Sequence, residues 1–198
     1  ESAVKDGRSN EAGVTVHGSL FRGSPAVRKA HDFYLKVENT EVEYRPDWPP
    51  VTDLTATIHV NNHHALTNDA TGKFYSSDVS DVDVLVVIPD SGQADLVMVS
   101  ASLSGPFEDA IRVLKETPLA ETTSNLAYQW SSEGEMQATL LFEVPIGVRR
   151  EEEVHSDVLV SIENVLLHMP DFDLDITRLD GEIRYSNESG LNSDGFTG

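Results

Sequence analysis

The stretch from Asp171 to Glu182 holds the densest set of groups able to ligate a cation. Asp171, Asp173, Asp175 and Glu182 fall at the first, third, fifth and twelfth places of a calcium loop. The sixth place, where that loop turns sharply on glycine, is Ile176. Asp171, Asp173 and Asp175 also alternate with Phe172, Leu174 and Ile176, as a strand with one solvated face requires, and that is the preferred reading. Asp78, Asp81 and Asp83 carry the same two readings. His59 and His63 would have metal-ligand spacing on a helix, but with His64 they lie at a strand end and an Asn-Asn-His-His turn, which reads as a surface loop. Nucleophilic catalysis lacks a Gly-x-Ser-x-Gly elbow, and the absence of cysteine removes thiolate nucleophiles and ligands. The residues carry no enzyme signature, and the expectation is a non-enzymatic protein with no cofactor and no metal.

The elements that position these groups are mostly strands. Apolar and polar residues alternate with period two in Leu54-Ala56-Ile58-Val60, Val82-Val84-Val86-Ile88, Val97-Val99-Ala101-Leu103, Ala138-Leu140-Phe142-Val144, Val158-Val160-Ile162 and Ile183-Tyr185. Turn chemistry separates them at Asn61-Asn62, Pro89 to Gly92, Ser132 to Glu135 and Asn187 to Gly190, so the sheet is expected to be mainly antiparallel. One segment breaks the period. Phe107, Ile111 and Leu114 share a helical face, Pro106 suits the first helical position, Lys115 the last turn, and Pro118 ends it, which predicts one short amphipathic helix over about 106–117. Weaker helical signals cover Ala120 to Tyr128 and Pro25 to His31.

Composition narrows the partners. With 34 acidic against 14 basic residues, the net charge of −20 argues against nucleic acid and anionic headgroups as surface partners, because both would be repelled. No apolar run approaches the roughly 20 residues that span a bilayer as a helix, and the first residues lack the features of a signal peptide, so any anchor is expected outside this stretch.

The chain also echoes itself. At an offset of 125 positions Glu38, Asn39, Leu54, Ile58, Asn62, Leu66 and Asp69 meet identical residues. The second copy stops at Gly198, which reads as a piece of a longer repetitive protein: one elongated segment with units at about 37–161 and 162–198, the second truncated. Strands of similar length with greasy faces on one side, and one helix to cover them, leave apolar surface that fits lipid acyl chains. Closure of the stripes on each other as a sandwich core is, on pattern alone, the simpler outcome.

The order of motifs resembles a known family. Glu43-Tyr44-Arg45-Pro46-Asp47-Trp48-Pro49-Pro50, running into the strand at Leu54, resembles the Trp-Pro-Pro element of the YhdP family, AsmA-like envelope proteins of Gram-negative bacteria. Leu103 to Leu119 is similar to that family's helix ending in Pro-Leu, Trp130 to Gly134 and Leu141 to Ile146 to its next turn and strand, and Ile176 to Tyr185 with Gly190-Leu191 to a later element. The insertion Arg149-Arg150-Glu151-Glu152-Glu153, the His63-His64 turn and the acidity depart from the pattern. The resemblance implies a mainly β, repetitive antiparallel sheet curved into an elongated, taco-like groove. It further implies a periplasmic segment of an inner-membrane-anchored protein carrying phospholipid towards the outer membrane and supporting its permeability barrier, with no catalytic residues to carry over. Acyl chains are then the partner, and Leu54, Ile58, Val60, Val84, Val86, Val97, Val99, Leu140, Phe142, Val158, Val160 and Ile183 are the groove-facing candidates. The alternative is a secreted or surface β-sandwich binding carbohydrate or calcium.

Overall fold

The computed structural model describes residues 4–18, 29–89, 92–122, 124–193, 195 and 197. Ten strands, β1 (Val4–Gly18), β2 (Lys29–Val42), β3 (Val51–Asn61), β4 (His64–Phe74), β5 (Ser77–Val87), β6 (Leu96–Pro106), β7 (Ser131–Pro145), β8 (His155–Met169), β9 (Leu174–Ser186) and β10 (Gly190–Ser193), form one sheet in chain order. Every neighbouring pair is antiparallel. β1 and β10 are not paired to each other, so the sheet is open and no second sheet covers it among the described residues. The sandwich core is replaced by a single curved layer. At about 4.8 Å between strands it is about 43 Å across, and its eleven-residue strands are about 36 Å long.

Six strands carry an extra residue, and each extra residue is left-handed. Asn39, Asp53, Asp69, Asp81, Asn164 and Arg178 have φ between 50° and 58°. Around each, two residues of the bulged strand oppose one of its neighbour, as where Asn68 and Asp69 face Asp83 between the pairs Thr67–Val84 and Ala70–Val82. The same count holds at Val37 to Thr40 against Ala56 to Leu54, and at Ile162 to Val165 against Gly181 to Leu179. A bulge bends its strand and tightens the local twist, so bulges aligned from strand to strand fold the sheet along a line and make it a trough.

The helix α1 (Phe107–Glu116) lies beyond that line and supplies the compact core. Phe107 and Ile111 pack with Met136, Ile162, Val165, Leu167, Met169 and Leu179, and Val165 is fully buried. Gly105 lets the chain enter α1 closely, because a Cβ there would stand 2.7 Å from the backbone of Ser77. Burying Phe107, Ile111 and their partners is the main source of stability at this end.

Several expectations are corrected. Pro106 ends β6 with ψ 134° and precedes the helix rather than opening it. Of Ala120 to Tyr128, only the single turn α2 (Leu119–Thr122) is helical, since Ser124 and Asn125 take left-handed φ and end it. Residues 25–28 of the other helical candidate lie outside the described residues, and Lys29 to His31 open β2. Ser132 to Glu135 is not a turn: it lies inside β7, where Gly134 at φ 120° takes up an irregularity opposite Val165. Asn187 to Ser189 does turn, joining β9 to β10. Gly92 N–H donates to Pro89 across 2.8 Å, although residues 90 and 91 between them lie outside the described set.

Candidate functional site

Register places the apolar residues of successive strands in line across the sheet. Phe33, Val60, Ala65, Val86, Val97 and Val144 form one cross-strand row. Leu35, Ile58, Thr67, Val84, Val99 and Phe142 form the next. Towards the C-terminus Ala101, Leu140, Val158 and Tyr185 continue the face, and below them Leu103, Ala138, Val160 and Ile183. Leu54 joins it opposite Thr40 across the bulge at Asn39. All twelve groove candidates therefore lie on one face of one sheet.

Each of the twelve is half-buried, neither sealed as Val165 is nor open as Val14 is at the edge strand. Val160 and Ile183 also pack against the core under α1, and Leu140 against the smaller cluster of Val79, Leu103 and Ala138, while the others are shielded laterally by their neighbours and no second sheet covers them among the described residues. That is the expected state of an apolar sheet face without its second layer, because domains normally bury such a face against another element. The face is lined by branched aliphatic residues with Thr67 among them, whose hydroxyl is buried without a partner.

The opposite face is mixed and solvated. Thr55, Thr57, Ser100, Ser102, Thr139, Asp157, Ser161, Glu182 and Arg184 share it with Leu85 and Leu141, which are 36% and 40% exposed. A shallow, open dip there is lined by polar and apolar groups in about equal share, among them Ser80, Ser102, Gln137, Thr139, Leu159 and Ser161.

α1 closes the trough at one end and is tied down on both flanks. Asp109, 3% exposed at its side chain, accepts from Ser76 N–H at 3.0 Å and from the hydroxyls of Ser76 and Ser77 at 2.8 Å each. On the other flank Glu108 accepts from Ser132 N–H at 2.7 Å, while Lys115 reaches Glu108 and the Trp130 carbonyl. Arg112 pairs with Glu116 and lies 3.8 Å above the Tyr75 ring. Tyr75 is held in a left-handed turn at φ 54°, unusual for a bulky residue, beneath that guanidinium. Burial, then Glu116, pushes the Tyr75 phenol up to about 12, and the Arg112 hydrogen bond holds Glu116 below the usual carboxylate range.

The groups with ligand potential disperse. Asp173, left-handed at φ 50°, ends a 3-10 turn, and Asp175 in β9 pairs with His168. Asp83 accepts from the Asp69 N–H at that bulge, and Asp180 does the same for Asn164. His64 contacts the Asn61 side chain at 2.9 Å, and His59 lies beside Tyr34. No group of three or more His, Asp or Glu side chains is close enough to hold a metal among the described residues.

The alternation named in the sequence does not include β1, β2, β4 or β10, and with β2 it omits Phe33, Leu35 and Val37. Their alternation was present. In β4 the signal is faint because the inward residues are Ala65, Thr67, Ala70 and Gly72, and the bulge at Asp69 shifts the period.

The described residues form an open antiparallel β trough with an apolar face and a helix at one end. The chain matches the family model described as YhdP protein over residues 1–198, and it belongs to the YhdP family of bacterial envelope proteins. No curated protein and no solved structure matches it.

Proposed function

We propose that this chain is a segment of a lipid-transporting trough in which phospholipid acyl chains lie against the apolar face while headgroups stay at its rim. The observation that carries this reading is the apolar face that runs across eight strands from Phe33 in β2 to Ile183 in β9, on which the twelve candidates are half-buried and over which no second sheet lies among the described residues. Family membership supports an envelope setting, and the proposed path runs through the periplasm from the inner to the outer membrane. Inner-membrane attachment and support of the permeability barrier belong to the same proposal. Transport here is sliding of chains along an apolar wall, with no bond made or broken. No helix among the described residues is long and apolar enough to cross a membrane, a statement that leaves strand-borne crossing aside.

Gentle purification followed by native mass spectrometry and solvent extraction tests it. Co-purified phospholipid is the expected result. Lipid-free protein whose melting temperature rises with calcium or sugar would replace it with the binding-module alternative.

A further inference from the structure

An anionic headgroup needs a cation, and most of the described Lys and Arg side chains are already paired with carboxylates. Among the described side chains Lys36, Lys73, Arg112, Lys115, Arg149, Arg150 and Arg184 each lie within 4.0 Å of a carboxylate. Arg45 and Arg178 have no such partner. Arg178 is the extra residue of the β9 bulge, between Ile176 and Leu179 of the core, and so turns to the solvated face. Arg45 stands instead in the connection between β2 and β3, directly beyond the Val42 and Val51 pair.

Its surroundings are built. The Trp48 N–H donates to the Arg45 carbonyl across 3.4 Å, closing a turn that carries the guanidinium 5.9 Å over the indole. Among the described residues the indole Nε1 is shielded from water and finds no acceptor, a donor left unspent. Tyr44 adds a phenol beside the guanidinium; burial raises it to about 12 while Arg45 opposes the rise. An uncompensated guanidinium, an indole N–H and a phenol at the lip of an apolar wall have the chemistry of a phosphate-ester receptor with a greasy tail behind it.

We infer that Arg45 and Trp48 form a rim subsite for the phosphate of a lipid whose chains occupy the adjoining apolar face. The inference rests on the proposed lipid trough and gives it a headgroup contact. Phosphate would accept from the guanidinium, and a small turn of the indole would bring the Nε1 proton to a second oxygen.

Calorimetric titration of the full chain with dihexanoylphosphatidic acid and with dihexanoylglycerol separates the two ideas, since the ligands share chains and differ only in the phosphate. The wild type should bind the phospholipid about fivefold tighter, the scale of one charge-assisted hydrogen bond at a half-exposed site. R45Q should erase that preference and leave dihexanoylglycerol binding unchanged, with R45K restoring part of it. A preference that survives in R45Q overturns the subsite while sparing the trough. Binding of neither lipid overturns the trough and the subsite with it. Glycerophosphate binding as tightly as the phospholipid, with the same dependence on Arg45, overturns the lipid assignment in favour of a free phosphate ester.

Discussion

Asp109 and Glu116 occupy one helix and do different work. Asp109 is nearly sealed and takes three donors from the β4 to β5 turn, so its removal leaves Ser76 N–H and two hydroxyls without their acceptor. Asp109→Ala should destabilise the fold by about 2 kcal/mol, read as a shift in the urea midpoint at unchanged slope. Glu116 is half exposed and its pKa is depressed by Arg112, so its contribution is small and depends on pH. A depressed carboxylate stabilises above its unfolded pKa and stops doing so as pH falls through the folded value. Melting curves of the wild type and Glu116→Gln should differ by a few tenths of a kcal/mol above about pH 5 and converge at lower pH. An offset that grows on acidification would contradict the assignment. At this scale the solvated-strand reading of the acidic runs needs correcting, because Asp171 lies in a 3-10 turn that Asp173 ends and β9 begins only at Leu174. Asp81 is itself an extra residue, and Asp83 and Asp180 receive the N–H groups that two bulges free.

At the scale of elements, one four-residue pattern recurs: an apolar or Thr residue, a polar residue, then the left-handed Asn, Asp or Arg, then a residue facing the trough again. Val37-Glu38-Asn39-Thr40, Val51-Thr52-Asp53-Leu54, Thr67-Asn68-Asp69-Ala70, Val79-Ser80-Asp81-Val82, Ile162-Glu163-Asn164-Val165 and Ile176-Thr177-Arg178-Leu179 all carry it. A strict period of two would turn the second apolar residue outward, and the extra left-handed residue returns it to the trough. Asn and Asp tolerate that conformation better than most side chains, whereas a β-branched residue resists it. Asn39→Val should therefore cost about 1–2 kcal/mol and Asn39→Gly should be near neutral, both measured by chemical denaturation. Equal losses would mean that the side chain, not the backbone, matters there. The strands with strong aliphatic alternation were legible, as was the helix to within a residue at each end. The bulge motif was visible only as a 125-residue echo of Glu-Asn and Leu. In the structure that offset carries Asn39 to Asn164 and Asp53 to Arg178, each pair left-handed, and β2 and β3 onto β8 and β9. The proposed repeat unit thus spans six strands, β2 to β7, with α1 and the single turn α2.

The whole molecule presents a layer where a folded domain would have two. Its compact core gathers under α1, and the remaining apolar face stays half-buried along the trough. Charge should therefore have opposite effects at the two places. Val86→Glu should fold, since the carboxylate can reach solvent, and should lose co-purified lipid. Val165→Glu should fail to fold, because a charge there would be fully enclosed and unpaired. Circular dichroism and lipid extraction on both variants check this, and a Val86→Glu chain that also unfolds would make that part of the face ordinary core. The pattern alone left trough and sandwich open, because period two reports that a face is apolar and not what covers it. Adjacent residues of β7 now separate the faces: Phe142 points into the trough and Leu141, 40% exposed, points away. Photo-crosslinking from benzoylphenylalanine at each position, in cells expressing the protein in its native envelope, tests the central claim most directly. Phospholipid adducts from position 142 and none from 141 are the predicted result; equal labelling at both, or none at 142 in a folded and expressed protein, would contradict it.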